Sequence, residues 1–348
     1  MEFGLFLEFG VRNGRAPDDI FREGFELADL ADRLGMHSVW LAEFHFMPDR
    51  SVLSSPIAVA AALAARTRRV RIGMAVYVLP LTHPLRVAEE VATVDQISGG
   101  RFDFGIGRSG FVAQYRGYDI DYGESEARFD EALEVLRGVF AGGRFSYEGR
   151  YYRVRDSQLM PPVHQKPHPP MYMAATSPAT FAKVGALGLP LFVGLRGDGL
   201  EPLAANIRVY RETWAAAGHP GRPTVHLRVP VYAGATPEAA VAEARPTLVH
   251  YFERQARLVA SQGAKKGVGR GGASATAARL AALTWEDIRA HYVAVGSAAQ
   301  LVETLGRWRE TLDIDGVMVE TNAGNGLTEE QAADSVRRIA EEVMPALG

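Results

Sequence analysis

HSVWLAEFHF, His37 to Phe46, is a short apolar run that passes straight into a polar cluster holding Glu43 and His45. RFDFGIGRSG, Arg101 to Gly110, does the same and ends on Gly105, Gly107, Arg108 and Ser109. Strands whose C-terminal ends carry titratable or anion-binding groups are what a parallel α/β enzyme shows at its active face. The two stretches set a candidate acid–base group and a candidate phosphate clamp on one rim.

Outward from these stretches, strand-like and helix-like segments alternate. EFGLFLE (2–8) precedes a helical pattern over Asp19–Leu34, with Phe21, Phe25, Leu27, Leu30 and Leu34 recurring on one face. Asp18 or Asp19 is the expected cap of that helix, and Gly35 its stop. HSVWLA leads into Pro56–Arg66, VRIGMAVYVL into Pro84–Ile97, and RFDFGIG into Ser125–Phe140. PMYMAAT then leads into Pro178–Leu187, LPLFVGL into Leu200–Ala217, and TVHLRVPVYA into helical segments from Pro237. GVMVE (316–320) precedes a closing helix over Thr328–Met344. Eight β-then-α units point to a (β/α)₈ TIM barrel, with 1–348 read as one domain. The alternative is a doubly wound open sheet. It is weakened because no Gly-x-Gly-x-x-Gly turn joins the first strand to the first helix.

Two segments exceed a minimal barrel and are expected as insertions on the active face. Residues 142–170, rich in Tyr, Arg, His and Pro, read as a hairpin followed by extended chain. SQGAKKGVGRGGASATAA (261–278) lacks apolar anchors and reads as a mobile loop, either a lid or a tolerated insertion. The chain has no cysteine, which removes disulfides, thiolate catalysis and cysteine metal sites. No metal site is expected. A net charge of −3 gives no basic field for nucleic acid or a membrane surface. No apolar run reaches the length of a membrane span, and the chain opens on a strand, so a cytoplasmic enzyme is the expectation.

The chain resembles the bacterial luciferase-like family of flavin-dependent monooxygenases. The matching stretches are GLFLEFG, LGMHSVWLAEFHF, VLPLTHPLRVAEEVATVDQISGGRFDFGIGRS, PMYMAATSPATFAKVGALGLP and DIDGVMVETNAGNG, in the family's order across nearly the whole chain. The run His83-Pro-x-Arg-x-Ala-Glu-Glu followed by Asp95-Gln-x-Ser-x-Gly-Arg-Phe is the specific part. The resemblance implies a (β/α)₈ barrel and FMN as cofactor, reduced by a separate flavin reductase. It implies that oxygen adds to the reduced flavin to give a 4a-hydroperoxide, which oxygenates an apolar or aromatic substrate. A homodimer is the expected assembly.

The same resemblance assigns residues. An Arg at the place of Arg108 holds the flavin phosphate, and a bidentate guanidinium suits that anion. The plainer reading is a surface Arg. Thr176, Ser177 and Thr180 follow the fifth strand and open a helix, where hydroxyls and free N–H groups serve either phosphate or ordinary capping. Luciferase has Glu where this chain has Thr176. A second phosphate Arg often follows a Ser in the family, but Ser125 is followed by Glu126, with Arg128 two residues on. Ala75 and Val76 lie under the expected isoalloxazine ring, where the family commonly has a non-proline cis peptide. His83, before Pro84, either borders the flavin edge in the substrate pocket or simply packs.

Luciferase has Glu-His-His-Phe where this chain has Glu43-Phe44-His45-Phe46. The family's catalytic base is the first of those His residues, replaced here by Phe44, which would line the substrate pocket. His45 matches the second His and is either the catalytic group or structural. The non-catalytic luciferase subunit also lacks that first His, so a partner protein without chemistry is one alternative. Arg108 argues against it, because that subunit does not keep the phosphate Arg. A deazaflavin-dependent oxidoreductase on the same fold is the other.

Overall fold

In the computed structural model, described over residues 1–12, 14–195, 199–265 and 272–348 with the side chains of 262–265 and 272–274 left aside, eight parallel strands close on themselves. They are β1 (Glu2–Leu7), β2 (Ser38–Leu41), β3 (Arg71–Met74), β4 (Phe102–Gly107), β5 (Met171–Ala174), β6 (Leu191–Gly194), β7 (Val225–Ala233) and β8 (Gly316–Glu320). Each pairs with the next, and closure comes from β8 against β1, with Glu2 opposite Gly316 and Leu5 opposite Val319. The eight strands are the eight that the sequence pattern marks, and the open-sheet alternative falls on the β8–β1 pairing. No described helix is long and apolar enough to cross a membrane.

Strand alternation builds two separate cores. Phe3, Leu5, Leu7, Val39, Leu41, Val317 and Val319 point outward into the layer between sheet and helices. Phe6, Trp40, Ala42, Phe44, Phe192 and Met318 point inward and fill the barrel. Side chains two apart on a strand share a face, so one apolar run serves both layers. Trp40 is fully buried at the centre, and a Cβ at Gly73 would lie 2.3 Å from its ring. The barrel therefore has room for Trp40 because β3 offers glycine opposite it.

The helices follow in order: α1 (Pro17–Arg33), α2 (Pro56–Arg66), α3 (Pro84–Ser98), α4 (Ser125–Phe140), α5 (Pro178–Leu187), α6 (Leu200–Ala216), α7 (Pro237–Lys265), α8 (Gly272–Ala281), α9 (Ala298–Leu312) and α10 (Glu329–Arg338). α1 starts two residues earlier than expected. Its cap is Ala16, and Pro17 occupies the first position, where its fixed φ and missing N–H cost nothing. Asp18 and Asp19 sit inside the first turn and favour the helix through its dipole rather than as caps.

The two extra segments differ from expectation. Arg144–Glu148 and Arg153–Gln158 form an antiparallel hairpin, but it leaves α4 and returns to β5 at the N-terminal end of the barrel. The chain after it closes that end. Asp95 accepts N–H bonds from His164 and Gln165, and the Gln165 amide reaches the Phe102 carbonyl at 2.7 Å. Only the hairpin turn rises towards the active face, where Glu131 on α4 accepts from Arg150, Tyr151 and Tyr152. Of the segment 261–278, residues 261–265 finish α7 and 272–278 open α8, so helix replaces the expected loop at both ends. The remaining 266–271 lie outside the described residues. Buried Tyr251, Phe252 and Ala256 carry α7, and Ala277 and Leu280 carry α8.

Candidate active site

The end of β2 holds a buried relay. Glu43 Oε1 lies 2.7 Å from His45 Nε2, and Glu43 Oε2 accepts the Val78 N–H at 3.2 Å. His45 Nδ1 lies 3.2 Å from the Tyr118 hydroxyl, which stands at the solvent edge. Burial pushes the Glu43 carboxyl above its ordinary pKa, and the His45 contact offsets only part of that. The arrangement holds a proton between a buried carboxyl and an imidazole, with a phenol as its outer end. Glu43 also ties β2 to the segment after β3, because Val78 follows the bond between Ala75 and Val76. That bond is a non-proline cis peptide, as the family resemblance implies at this place. Ala75 and Val76 are half-buried, and a Cβ at Gly107 would lie 2.4 Å from the Val76 side chain. The two residues thus form a shallow bed of small side chains over the end of β4.

Arg108 leaves β4 beside that bed. Its Nη1 donates to the Ser125 hydroxyl at 3.2 Å and stands 3.9 Å from Glu126, so most of its donor fork is open. The Tyr115 hydroxyl donates to the Arg108 carbonyl, and Gln114 and Ser109 bond at 3.0 Å, with Ser109 at φ 57°. These contacts fix the turn that presents the guanidinium. Across from it, Ser177 stands at the N-cap position of α5 without a capping hydrogen bond from its side chain, and Pro178 begins the helix. The Ser177 and Thr180 hydroxyls bond each other at 2.8 Å, and Thr176 and Ser177 are exposed. Glu126 joins the two sides, since it also lies 3.4 Å from Lys183 on α5. An anion between Arg108 and the α5 N-terminus would meet a guanidinium, two hydroxyls and the Ala179 N–H, since Pro178 has no N–H and those of Thr180 and Phe181 bond the Ser177 carbonyl. Those residues fit a flavin phosphate. Arg128 pairs with Glu124 at 3.1 Å and lies over Tyr151 at 4.6 Å, which occupies it elsewhere.

Phe44 and His83 separate. Phe44 is buried in the inner core with Ala75 and Phe111 beside it, its ring 6.0 Å from that of Phe111. His83 is exposed, caps α3 by accepting the Leu85 N–H at 3.3 Å, and meets the Tyr152 ring of the hairpin at 5.5 Å. Those contacts make His83 the N-cap of α3.

Residues 1–314 match the profile of the family described as luciferase-like monooxygenase. The chain belongs to that family. It is 37% identical over 179 residues to protein y4wF of Sinorhizobium fredii, a match spanning about half of each protein, 51% of this chain and 52% of the other. It is 26% identical to the oxygenase component of the flavin-dependent trigonelline monooxygenase of Acinetobacter baylyi, over 99% of this chain and 95% of that one. Among solved structures, the monooxygenase RslO1 from Streptomyces bottropensis matches with a TM-score of 0.84 at 27% identity, covering both chains completely. More distant structures share the fold alone. They include an FMN complex of a Pseudomonas putida Baeyer–Villiger monooxygenase (TM-score 0.84, 20% identity, 99% and 98% covered) and an F420-dependent secondary alcohol dehydrogenase (0.75, 17%, 100% and 99%).

One part of this luciferase-like site has no counterpart in the sequence reading. Glu8 follows β1 and is buried with Arg50 at 2.7 Å, Arg228 at 2.9 Å and Arg254 at 3.7 Å. Glu320, at the end of β8, takes Arg228 at 2.6 Å. Arg50 lies over the Phe44 ring at 3.9 Å and Arg228 over Phe6 at 4.1 Å. The cluster draws on residues 8, 50, 228, 254 and 320, and nothing in the spacing of a single sequence joins them. A faint signal was present: Glu8 and Glu320 are charges standing at or just beyond the ends of otherwise apolar strands, and Arg228 interrupts the apolar run of β7.

Proposed function

We propose that the chain is an FMN-dependent monooxygenase that takes reduced flavin from a separate reductase and uses O2 to oxygenate an organic substrate. The observation that carries this reading is Arg108 with an open donor fork beside the N-terminus of α5, which has no side-chain cap, next to the small-residue bed of Ala75 and Val76. The trigonelline enzyme's description as an oxygenase component supports the separate reductase. Retention of Arg108 speaks for an enzyme rather than a non-catalytic partner.

When bound, reduced FMN supplies the electrons that activate O2, which is the cofactor's own chemistry. The chain supplies the rest. Arg108 and the Ser177 and Thr180 hydroxyls hold the phosphate. Ala75 and Val76 support one face of the ring. Phe44 and Phe111 exclude water from the barrel mouth and give the substrate an aromatic wall. The relay of Glu43, His45 and Tyr118 holds a proton at His45 Nδ1, within reach of the rim.

The test is anaerobic titration with reduced FMN, then admission of oxygen while flavin absorbance is followed. Saturable binding, and an oxidation rate different from that of free reduced FMN, are expected. No binding overturns the assignment, and preferential binding of F420 in the same titration would move it to deazaflavin chemistry.

A further inference from the structure

The buried cluster above β1 and β8 is chemically incomplete. It gathers three guanidiniums around two carboxylates. Arg50 and Arg254 are each more than nine-tenths buried. Arg50 spends one nitrogen, Nη2, on Glu8, and its Nε and Nη1 meet no acceptor. Arg254 offers Nη1 to the Asn325 amide oxygen at 3.3 Å once that amide is turned to suit its neighbours, while its Nε and Nη2 are left without a hydrogen bond. Buried polar groups are ordinarily paired, charged ones most of all. Arg50 Nε and Nη1 and Arg254 Nε face no acceptor, and Arg254 Nη2 reaches Glu8 only at 3.7 Å, too long for a hydrogen bond. In a cluster of net positive charge, these describe a socket for an anion.

The socket's surroundings say which kind. The Arg50 guanidinium lies over the Phe44 ring at 3.9 Å and 5.5 Å from the Phe111 ring. Both rings belong to the inner core that also holds Ala75. The socket therefore adjoins the proposed flavin bed, while the proposed phosphate anchor stands at the ends of β4 and β5, across the barrel mouth from β1 and β8. Glu8 and Glu320 also face the socket. Glu8 Oε1 is already taken by Arg50 and Arg228, and Glu320 by Arg228. The buried, unpaired nitrogens of Arg50 and Arg254 remain for a ligand.

We propose that Arg50 and Arg254 bind the carboxylate of a planar organic acid, so that this monooxygenase acts on an anionic aromatic substrate rather than on a neutral apolar one. This rests on the flavin reading above, because it is the adjoining bed that makes the socket a substrate subsite. A carboxylate matches the fork geometry of a guanidinium, and an attached ring would lie along Phe44 and Phe111.

The experiment is calorimetric titration of the FMN-loaded protein with benzoate and with benzamide, its neutral isostere. Benzoate should bind saturably, with benzamide about tenfold weaker or worse, the scale of a charge-assisted pair. R50Q and R254Q should each lower benzoate affinity by about tenfold while leaving FMN affinity unchanged. Equal binding of the two probes, or benzoate binding that neither variant weakens, overturns the proposal. Benzoate binding to the flavin-free protein that FMN displaces also overturns it and gives the arginines to the cofactor. Should R50Q fail to fold, R254Q and the probe ratio in the unaltered protein still decide. If FMN itself fails to bind, the flavin reading falls separately, and benzoate against benzamide on the flavin-free protein still reads the socket.

Discussion

Replacing Arg108 with alanine removes a guanidinium beside the α5 N-terminus, and FMN affinity should fall. A charge-assisted contact is worth about 1.5–3 kcal/mol, but this side chain is 42% exposed, so a loss of about 1–2 kcal/mol is expected by fluorescence titration. Unchanged affinity would place the phosphate elsewhere on the rim. His45 calls for two variants, because it both braces and connects. His45→Ala leaves the buried Glu43 carboxyl with the Val78 N–H alone, which should cost about 1–3 kcal/mol in urea unfolding. Turnover per folded molecule should also fall by about 10²-fold, the lower end for proton transfer. Tyr118→Phe removes only a rim hydroxyl, so it should lower turnover while sparing stability. Normal turnover in both variants would leave His45 as a brace alone. Part of this was legible in the sequence, because Glu43 and His45 stand two apart at a strand end. Tyr118 lies 73 residues away from His45, and only the fold brings its hydroxyl to the ring.

The strands and helices were more legible than the side-chain contacts, and two glycines show why. Gly73 interrupts a buried strand, which local propensity alone would count against it. The barrel requires it, since any Cβ there would enter the Trp40 ring. Gly73→Ala should therefore destabilise by about 1–3 kcal/mol through overpacking, read from urea midpoints. Gly306 stands within α9, and a Cβ there would meet only Leu347, at an ordinary 3.6 Å. Gly306→Ala should stabilise by about 0.5–1 kcal/mol, because helix propensity acts without a clash. Like signs for the two changes would refute the packing account. The eight units could be counted because each apolar run feeds both cores and each helix is punctuated by Pro or Gly. The ends of 261–278 could not be read this way. Their glycines and serines look like loop, whereas the helices are carried by Tyr251, Phe252, Ala256, Ala277 and Leu280 on either side. The hairpin after α4 was visible as a composition change, but its attachment at the N-terminal end follows only from which elements it joins.

Across the whole molecule, the barrel closes one end and leaves charge under tension at the other. At the N-terminal end Arg71 pairs with Asp103 at 2.6 Å, Glu2 takes His226 at 2.9 Å, and Gln165 fills the gap. At the C-terminal end Glu8 and Glu320 share Arg228 yet titrate in opposite directions. Burial would raise the Glu8 pKa, but Arg50 and Arg228 outweigh it and hold the carboxyl at about 2, against an ordinary 4.5. Burial raises Glu320, whose attraction to Arg228 is countered by Glu8. The difference follows from geometry, since three guanidiniums surround Glu8 and one hydrogen-bonds Glu320. A depressed folded pKa means that the stability due to Glu8 is complete above pH 4.5 and is lost as pH falls towards 2. A raised one means that the contribution of Glu320 is present in acid and lost as pH rises above 4.5. Glu8→Gln should therefore cost about 3–5 kcal/mol at pH 7, the usual penalty for breaking a buried pair, and progressively less below pH 4.5. Glu320→Gln fixes the neutral form that burial already favours, so it should cost less at pH 7 than at pH 4. Urea unfolding of both variants and the unaltered protein from pH 3 to pH 8 reads the two slopes directly. A pH-independent cost for Glu8→Gln would mean that the guanidiniums do not hold its pKa down, and a cost for Glu320→Gln that grows with pH would mean that burial does not raise that of Glu320.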